Sequence, residues 1–145
     1  MTVNPSKLNY SYANTAYSTD PFDFQGTLLI TLTFKNNSQS AFGLSKPDVW
    51  TSDGNLAGPD EDYNNEFPSF QLTNIPQQVN PNEEFVIQGI IDLTSVKSGN
   101  KYLTIRPQFF GGGWVADEKK DVPIISAKFI CLPSKEKTQA INKKS

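Results

Sequence analysis

The stretch GTLLITLTFKN, residues 26–36, decides the fold. Four of its apolar residues fall at every second position: Leu28, Ile30, Leu32 and Phe34. The threonines between them fall on the opposite face. This period of two is typical of a strand with one buried face, because successive side chains of a strand point to opposite sides of the sheet. The stretch therefore predicts a half-buried β-strand.

Six other stretches carry strand signals: residues 7–18, 41–50, 67–75, 83–93, 101–110 and 121–132. Ten prolines and nine glycines interrupt the chain. No window has the apolar spacing of a helix together with helix start and stop signals. The chain therefore predicts an all-β fold, an antiparallel two-sheet β-sandwich of immunoglobulin-like layout with about seven strands. We expect it to span residues 1–133, followed by a polar, Lys-rich C-terminal tail at residues 134–145.

Single residues refine this picture at three places. Gly89 interrupts the fifth stretch and indicates a β-bulge or a close backbone approach. Pro107 indicates either an edge position or a bend in its strand. Trp50 ends the alternating segment DVW and is predicted to be buried.

Composition excludes several classes of function. The chain has 145 residues, about one domain, and no histidine, which removes Ser-His-Asp and Cys-His catalysis and imidazole metal sites. The net charge is −2 and Arg106 is the one arginine, so nucleic-acid binding is not expected. Cys131 cannot form an intramolecular disulfide, and its setting in KFICL indicates a small buried hydrophobe.

Four segments resemble a known group: LTFKNNS (32–38), TSDGN (51–55), VNPNEEFVIQG (79–89) and KYLTI (101–105). Their layout is similar to that of small bacterial extracellular immunoglobulin-like domains of the DUF4352/MPT63-like type. That group has no shared catalytic residues, so the resemblance implies a binding role and a bacterial, secreted protein. The chain shows no signal-peptide run and no apolar stretch that could span a bilayer, so we expect a cytoplasmic protein or an exported one already processed.

An acidic segment, TSDGNLAGPDEDYNNEF, joins the third and fourth predicted strands. Its carboxylates suit Ca²⁺, and Asp53, Asp60 and Asp62 are the candidate ligands. The loop before residue 26, with Asp20 and Asp23, would lie at the same end of the sandwich and share the site. A solvated acidic loop is the favoured interpretation, since the spacing departs from a calcium-binding loop at its fifth and twelfth positions.

At the opposite end, QFFGGGWVADEKK joins the last two predicted strands. Trp114 is the candidate ligand-binding residue of this loop, supported by Phe109 and Phe110, with Gly112 among the glycines that let it adapt. The alternative is that Trp114 folds back as an inward residue of the next strand.

We therefore predict a non-catalytic module that recognises a protein partner, or assembles with itself, through loops or sheet edges. The alternative is a carbohydrate-binding, lectin-like module, which could depend on Ca²⁺. An enzyme is not expected, because nothing positions two carboxylates in a rigid cleft. No cofactor other than Ca²⁺ is predicted.

Overall fold

The computed structural model describes residues 4–11, 15–54, 64–111 and 119–133. The strands are β1 (Leu8–Ser11), β2 (Ala16–Thr19), β3 (Gly26–Lys35), β4 (Gly43–Ser52), β5 (Phe70–Thr73), β6 (Glu84–Asp92), β7 (Tyr102–Phe110) and β8 (Ile124–Pro133). A short 3₁₀ turn at Lys119–Asp121 precedes β8. The strands form two antiparallel four-stranded sheets, which we call the β7 sheet (β1-β2-β7-β4) and the β3 sheet (β5-β6-β3-β8).

The predicted all-β sandwich is confirmed. Six of the seven predicted stretches each form one strand. The stretch at residues 7–18 instead forms two, the hairpin of β1 and β2, in which Leu8 pairs with Thr19 and Ser11 pairs with Ala16. The count is therefore eight strands among the described residues rather than about seven.

The central strands are ordered as in an immunoglobulin domain, but the first and last strands lie in the opposite sheets. β5, β6 and β3 pair as strands D, E and B do, and β4 pairs with β7 as C pairs with F. In immunoglobulin domains the first strand lies in the sheet of strand B and the last strand in the sheet of strand F. Here the first hairpin lies beside β7, and β8 lies beside β3. This exchange puts β8 at one edge of the β3 sheet.

The core follows the alternation that the sequence predicts. Leu28, Ile30, Leu32 and Phe34 of β3 are buried, while Leu29 and the threonines on the other face are partly exposed. Phe34 joins the two sheets: its ring centroid lies 5.4 Å from that of Tyr17 in β2 and 5.0 Å from that of Phe85 in β6. Burial of apolar side chains between the two sheets is therefore the main stabilising contribution to this fold.

Gly89 allows a close approach of two backbones, one of the two possibilities that the sequence predicted. A Cβ atom at this position would lie 2.1 Å from the carbonyl oxygen of Gln71 in β5. Real Cβ atoms do not come this close to a backbone oxygen, so any other residue would push β5 away from β6. β5 pairs with β6 from Phe70 to Thr73, and Gly89 faces Leu72 in that ladder.

Pro107 does not lie at a sheet edge, which corrects that part of its prediction. β7 is a central strand between β2 and β4. Pro107 lies past Ile105, where pairing with β2 ends, and opposite the irregularity of β4 between Ser45 and Asp48. Neither neighbouring ladder is regular there, so the missing N–H of proline is tolerated.

Trp50 is fully buried, as predicted. It lies on the opposite face of β4 from Val49, a member of the inter-sheet core. The guanidinium carbon of Arg106 lies 5.4 Å from the centroid of the indole ring, a cation–π contact. Arg106 in turn donates to the carboxylate of Asp48 at 2.6 Å. Trp50 is thus packed beneath an ion pair on the outer side of the β7 sheet.

Candidate functional site

Two of the acidic residues predicted to form the calcium site, Asp53 and Asp23, lie in the part of the chain that the structure describes. Asp53 follows β4 and accepts a hydrogen bond from the amide of Asn64 at 2.6 Å. Asp23, before β3, accepts one from the backbone N–H of Gly99 at 3.1 Å. Asp60 and Asp62 lie outside the described residues. Within the ranges that the structure describes, no three metal-ligating side chains come together, and the calcium site stays a prediction.

A lysine ammonium lies between the two acidic loops. Lys101 is 5% exposed; its Nζ donates to the carbonyl of Gly99 at 3.1 Å and lies 5.5 Å from the ring centroid of Phe22. Burial lowers its pKa, and the carboxylates of Asp23 and Glu66 act in the opposite direction. These two carboxylates therefore stabilise a buried cation of the chain itself, a role that the sequence analysis did not foresee.

Of the residues predicted to form a ligand-binding loop, the structure describes Phe109 and Phe110, and these two differ in burial. Trp114 and Gly112 lie outside the described residues. Phe109 is buried and stacks on Phe42, with ring centroids 4.6 Å apart, so its side chain belongs to the core and cannot contact a ligand at the surface. Phe110 is 53% exposed at the end of β7 and stays available to a partner.

Exposed aromatic side chains bear on the carbohydrate alternative. Three large ones among the described residues are Tyr10, Phe67 and Phe110. They come from β1, from the connection between β4 and β5, and from the end of β7. A carbohydrate-binding surface usually offers a flat ring with converging polar groups, and the carbohydrate-binding role stays a prediction.

The two sheets have four edge strands, and three of these edges are protected. β1 and β5 are short, with four residues each. β4 has ten residues, but Lys46 and Pro47 lie at its irregularity, and both of its ends are covered by backbone pairs, Phe42 with Val79 and Thr51 with Glu66. Short length, proline, lysine and bulges all prevent unwanted pairing of an edge strand with another chain.

The fourth edge, β8, is long, and its protecting features are sparse: the irregularity at Ile125 and Pro133 lie at its two ends, and Lys128 is its one lysine. β8 has ten residues and pairs with β3 alone, from Pro133 opposite Gly26 to Ile124 opposite Phe34. The ladder has one irregularity, near the start of β8, where Ile125 has no partner residue in β3. In an antiparallel edge strand, alternate residues direct both N–H and C=O away from the neighbouring strand. Across the described chain, no backbone group pairs with this outer side of β8.

β8 has apolar side chains on both faces, beside Ser126 and Lys128 on its outer face, and they are incompletely buried. Those facing the core, Ile124, Ala127, Phe129 and Cys131, are only partly buried against it. On the outer face Ile130 and Leu132 are each 43% exposed, and the unpaired Ile125 is 52% exposed. No residue of β8 is fully buried. A strand with apolar residues on both faces is typical of a sheet that is covered on both faces, whereas the outer face of β8 is exposed among the described residues.

The outer face of the β3 sheet extends this apolar surface inward from the edge. Leu29 of β3 is paired with Ile90 of β6 on one side and with Ile130 of β8 on the other. Ile90 is 44% exposed, almost the same as Ile130. A strand added beside β8 would lie next to Ile130 and Leu132, whereas β8 and β3 would separate it from Ile90 in β6. The two isoleucines therefore distinguish binding at the edge from binding on the face.

The chemistry available at this edge is recognition rather than reaction. The free backbone groups can form a ladder with an extended segment, and the alternating side chains supply the contacts that select it. The sequence predicted β8 as a strand and sheet edges as binding places, but not that β8 forms the open edge. Its nearly continuous apolar run, IISAKFICL, was the signal available.

Comparison with known proteins does not assign this chain to a family. No family model matches it, and neither a curated protein nor a solved structure matches it. The resemblance to bacterial immunoglobulin-like domains therefore stays a prediction.

The part of the chain that the structure describes contains no helix long and apolar enough to cross a membrane.

Proposed function

We propose that the protein is a non-catalytic interaction module that binds a protein partner by adding a strand to the edge of β8. The supporting observation is the difference among the four edges. β8 combines ten residues, no paired outer side among the described residues and apolar side chains on both faces. Long, flat, apolar edges promote aggregation unless something pairs with them, so an edge of this kind is expected to have a partner.

The contacts define what the partner strand must look like. It must be extended, so that its N–H and C=O groups meet those of β8. It needs apolar side chains on both faces, one set beside Phe129 and Cys131 and the other beside Ile130 and Leu132. Lys128 is the one charged residue of β8, which favours a partner strand with few charges.

A peptide with the sequence of β8, IISAKFICLP, satisfies these requirements and serves as the probe. At protein concentrations where the chain is monomeric, we expect the fluorescein-labelled peptide to bind with saturable anisotropy. Ile130→Lys should weaken binding about tenfold, because it replaces an apolar contact of roughly 1.5–3 kcal/mol with a charge at the edge. Titrations of the wild type and the variant measure this effect.

Ile90→Lys is the matched control, since Ile90 has the same side chain, sheet face and exposure as Ile130. It should change peptide affinity less than about twofold, because it lies away from the edge; we expect surface changes of this kind to leave folding intact. Absence of peptide binding to the wild type would refute the proposed function. Equal weakening by both lysine variants would move the site from the edge to the sheet face.

A further inference from the structure

We infer that the strand bound at this edge is β8 of a second copy of the same chain. The inference rests on the proposed function and names its partner. Two β8 strands would pair antiparallel about a twofold axis perpendicular to the sheet, and the two β3 sheets would become one sheet of eight strands. The outer edges of that sheet would be the two short β5 strands.

Self-pairing explains why one edge is left open while the others are protected. Each chain has one long open edge among its described strands, so a twofold pair covers both edges and closes. A second β8 also supplies the required chemistry, since it is extended and apolar on both faces with a single charge. Each partly buried side chain on the inner face, such as Phe129, would gain a neighbour on its open side.

Strand geometry restricts the register of such a pair. Opposed residues in an antiparallel ladder share a sheet face, so the twofold axis must pass through one residue position that faces itself. The largest overlap of two ten-residue strands places the axis at position 128, which pairs residues 124–132, or at position 129, which pairs residues 125–133. An axis at position 128 would put Lys128 opposite Lys128, and directly opposed like charges destabilise a strand pair.

The favoured register therefore has Phe129 opposite Phe129 of the second copy. In this register Lys128 lies opposite Ile130 and Ala127 lies opposite Cys131, each contact occurring twice. An aromatic pair at the centre adds contacts of the kind that stabilise cross-strand neighbours. The irregularity at Ile125 falls at the end of the paired region, where it disturbs the new ladder least.

Cysteine crosslinking tests both the partner and the register. Ala127→Cys places a new thiol opposite the native Cys131 of the second copy. Within one chain these positions lie four residues apart, about 13 Å along a strand, which is too far for a disulfide. Oxidation with diamide should convert most of this variant into a covalent dimer on non-reducing gels. The wild type and the Ala127→Cys, Cys131→Ser double variant should crosslink at least tenfold less.

Light scattering of the reduced wild type over a range of concentrations completes the test. A concentration-dependent dimer together with crosslinking specific to Ala127→Cys supports the inference. A chain that stays monomeric at high concentration yet binds the β8 peptide overturns the inference and leaves the proposed function standing. A monomer that binds no peptide overturns both. A dimer that does not crosslink and is dissociated by Ile90→Lys rather than Ile130→Lys overturns the pairing of β8 strands.

Discussion

Replacing Phe34 by alanine is expected to lower the free energy of unfolding by about 3–5 kcal/mol. Phe34 is fully buried and contacts aromatic rings of both sheets, Tyr17 and Phe85. Its removal leaves a cavity between the sheets, and the flanking rings belong to regular strands that cannot close in to fill it. Urea denaturation followed by circular dichroism measures the loss.

Thr33→Ala is the control for Phe34→Ala. Thr33 is the neighbouring residue of β3, points to the outer face and is partly exposed. Its substitution should change the free energy of unfolding by less than about 1 kcal/mol. A Phe34→Ala variant within about 1 kcal/mol of the wild type would show that the two sheets do not pack through this side chain.

Asn36→Ala is expected to cost about 2–3 kcal/mol, the second largest effect. Asn36 is fully buried at the end of β3. Its Oδ1 accepts hydrogen bonds from the backbone N–H and the hydroxyl of Ser38, at 2.9 and 2.6 Å. Its Nδ2 donates to the carbonyl of Ser40 at 2.9 Å. Alanine would remove these bonds and leave the turn between β3 and β4 without its internal support. Thermal or urea unfolding measures the change.

The adjacent Asn37 provides the comparison for Asn36. Asn37 is exposed, and the hydrogen bond from its backbone N–H to Asp121 does not need its side chain. Asn37→Ala should therefore leave the free energy of unfolding within about 0.5 kcal/mol of the wild type. Equal effects of the two alanine variants would contradict the role given to the buried amide.

Much of the fold could be predicted because alternation is a local property. Leu28 to Phe34 are buried on one face of β3 as their spacing indicated, and every predicted stretch contains a strand. The hairpin of β1 and β2 could not be predicted, because residues 7–18 contain no glycine to mark a turn. Alternation also carries no information about neighbours, so the exchange of the terminal strands between the sheets had no sequence signal.

The candidate site was also only partly predictable, because the sequence pattern does not show which strands are neighbours. The apolar run of β8 predicts a strand with apolar side chains on both faces, and this pattern suits a central strand as well as an edge strand. Only the topology shows that, among the described strands, β8 has a neighbour on one side alone. Likewise, acidic residues near Asp23 and Glu66 predicted a metal site from composition, whereas the buried ammonium between them, that of Lys101, comes from a distant part of the chain.

Amide hydrogen exchange of β8 tests the central claim most directly, because it reports on the backbone groups of the open edge. At low protein concentration, alternate amides of β8 should exchange fast while those of β3 stay protected. Raising the concentration, or adding the β8 peptide, should slow exchange at those β8 amides at least tenfold and leave the edge of β4 unchanged. Exchange in β8 that is insensitive to both additions would contradict the account.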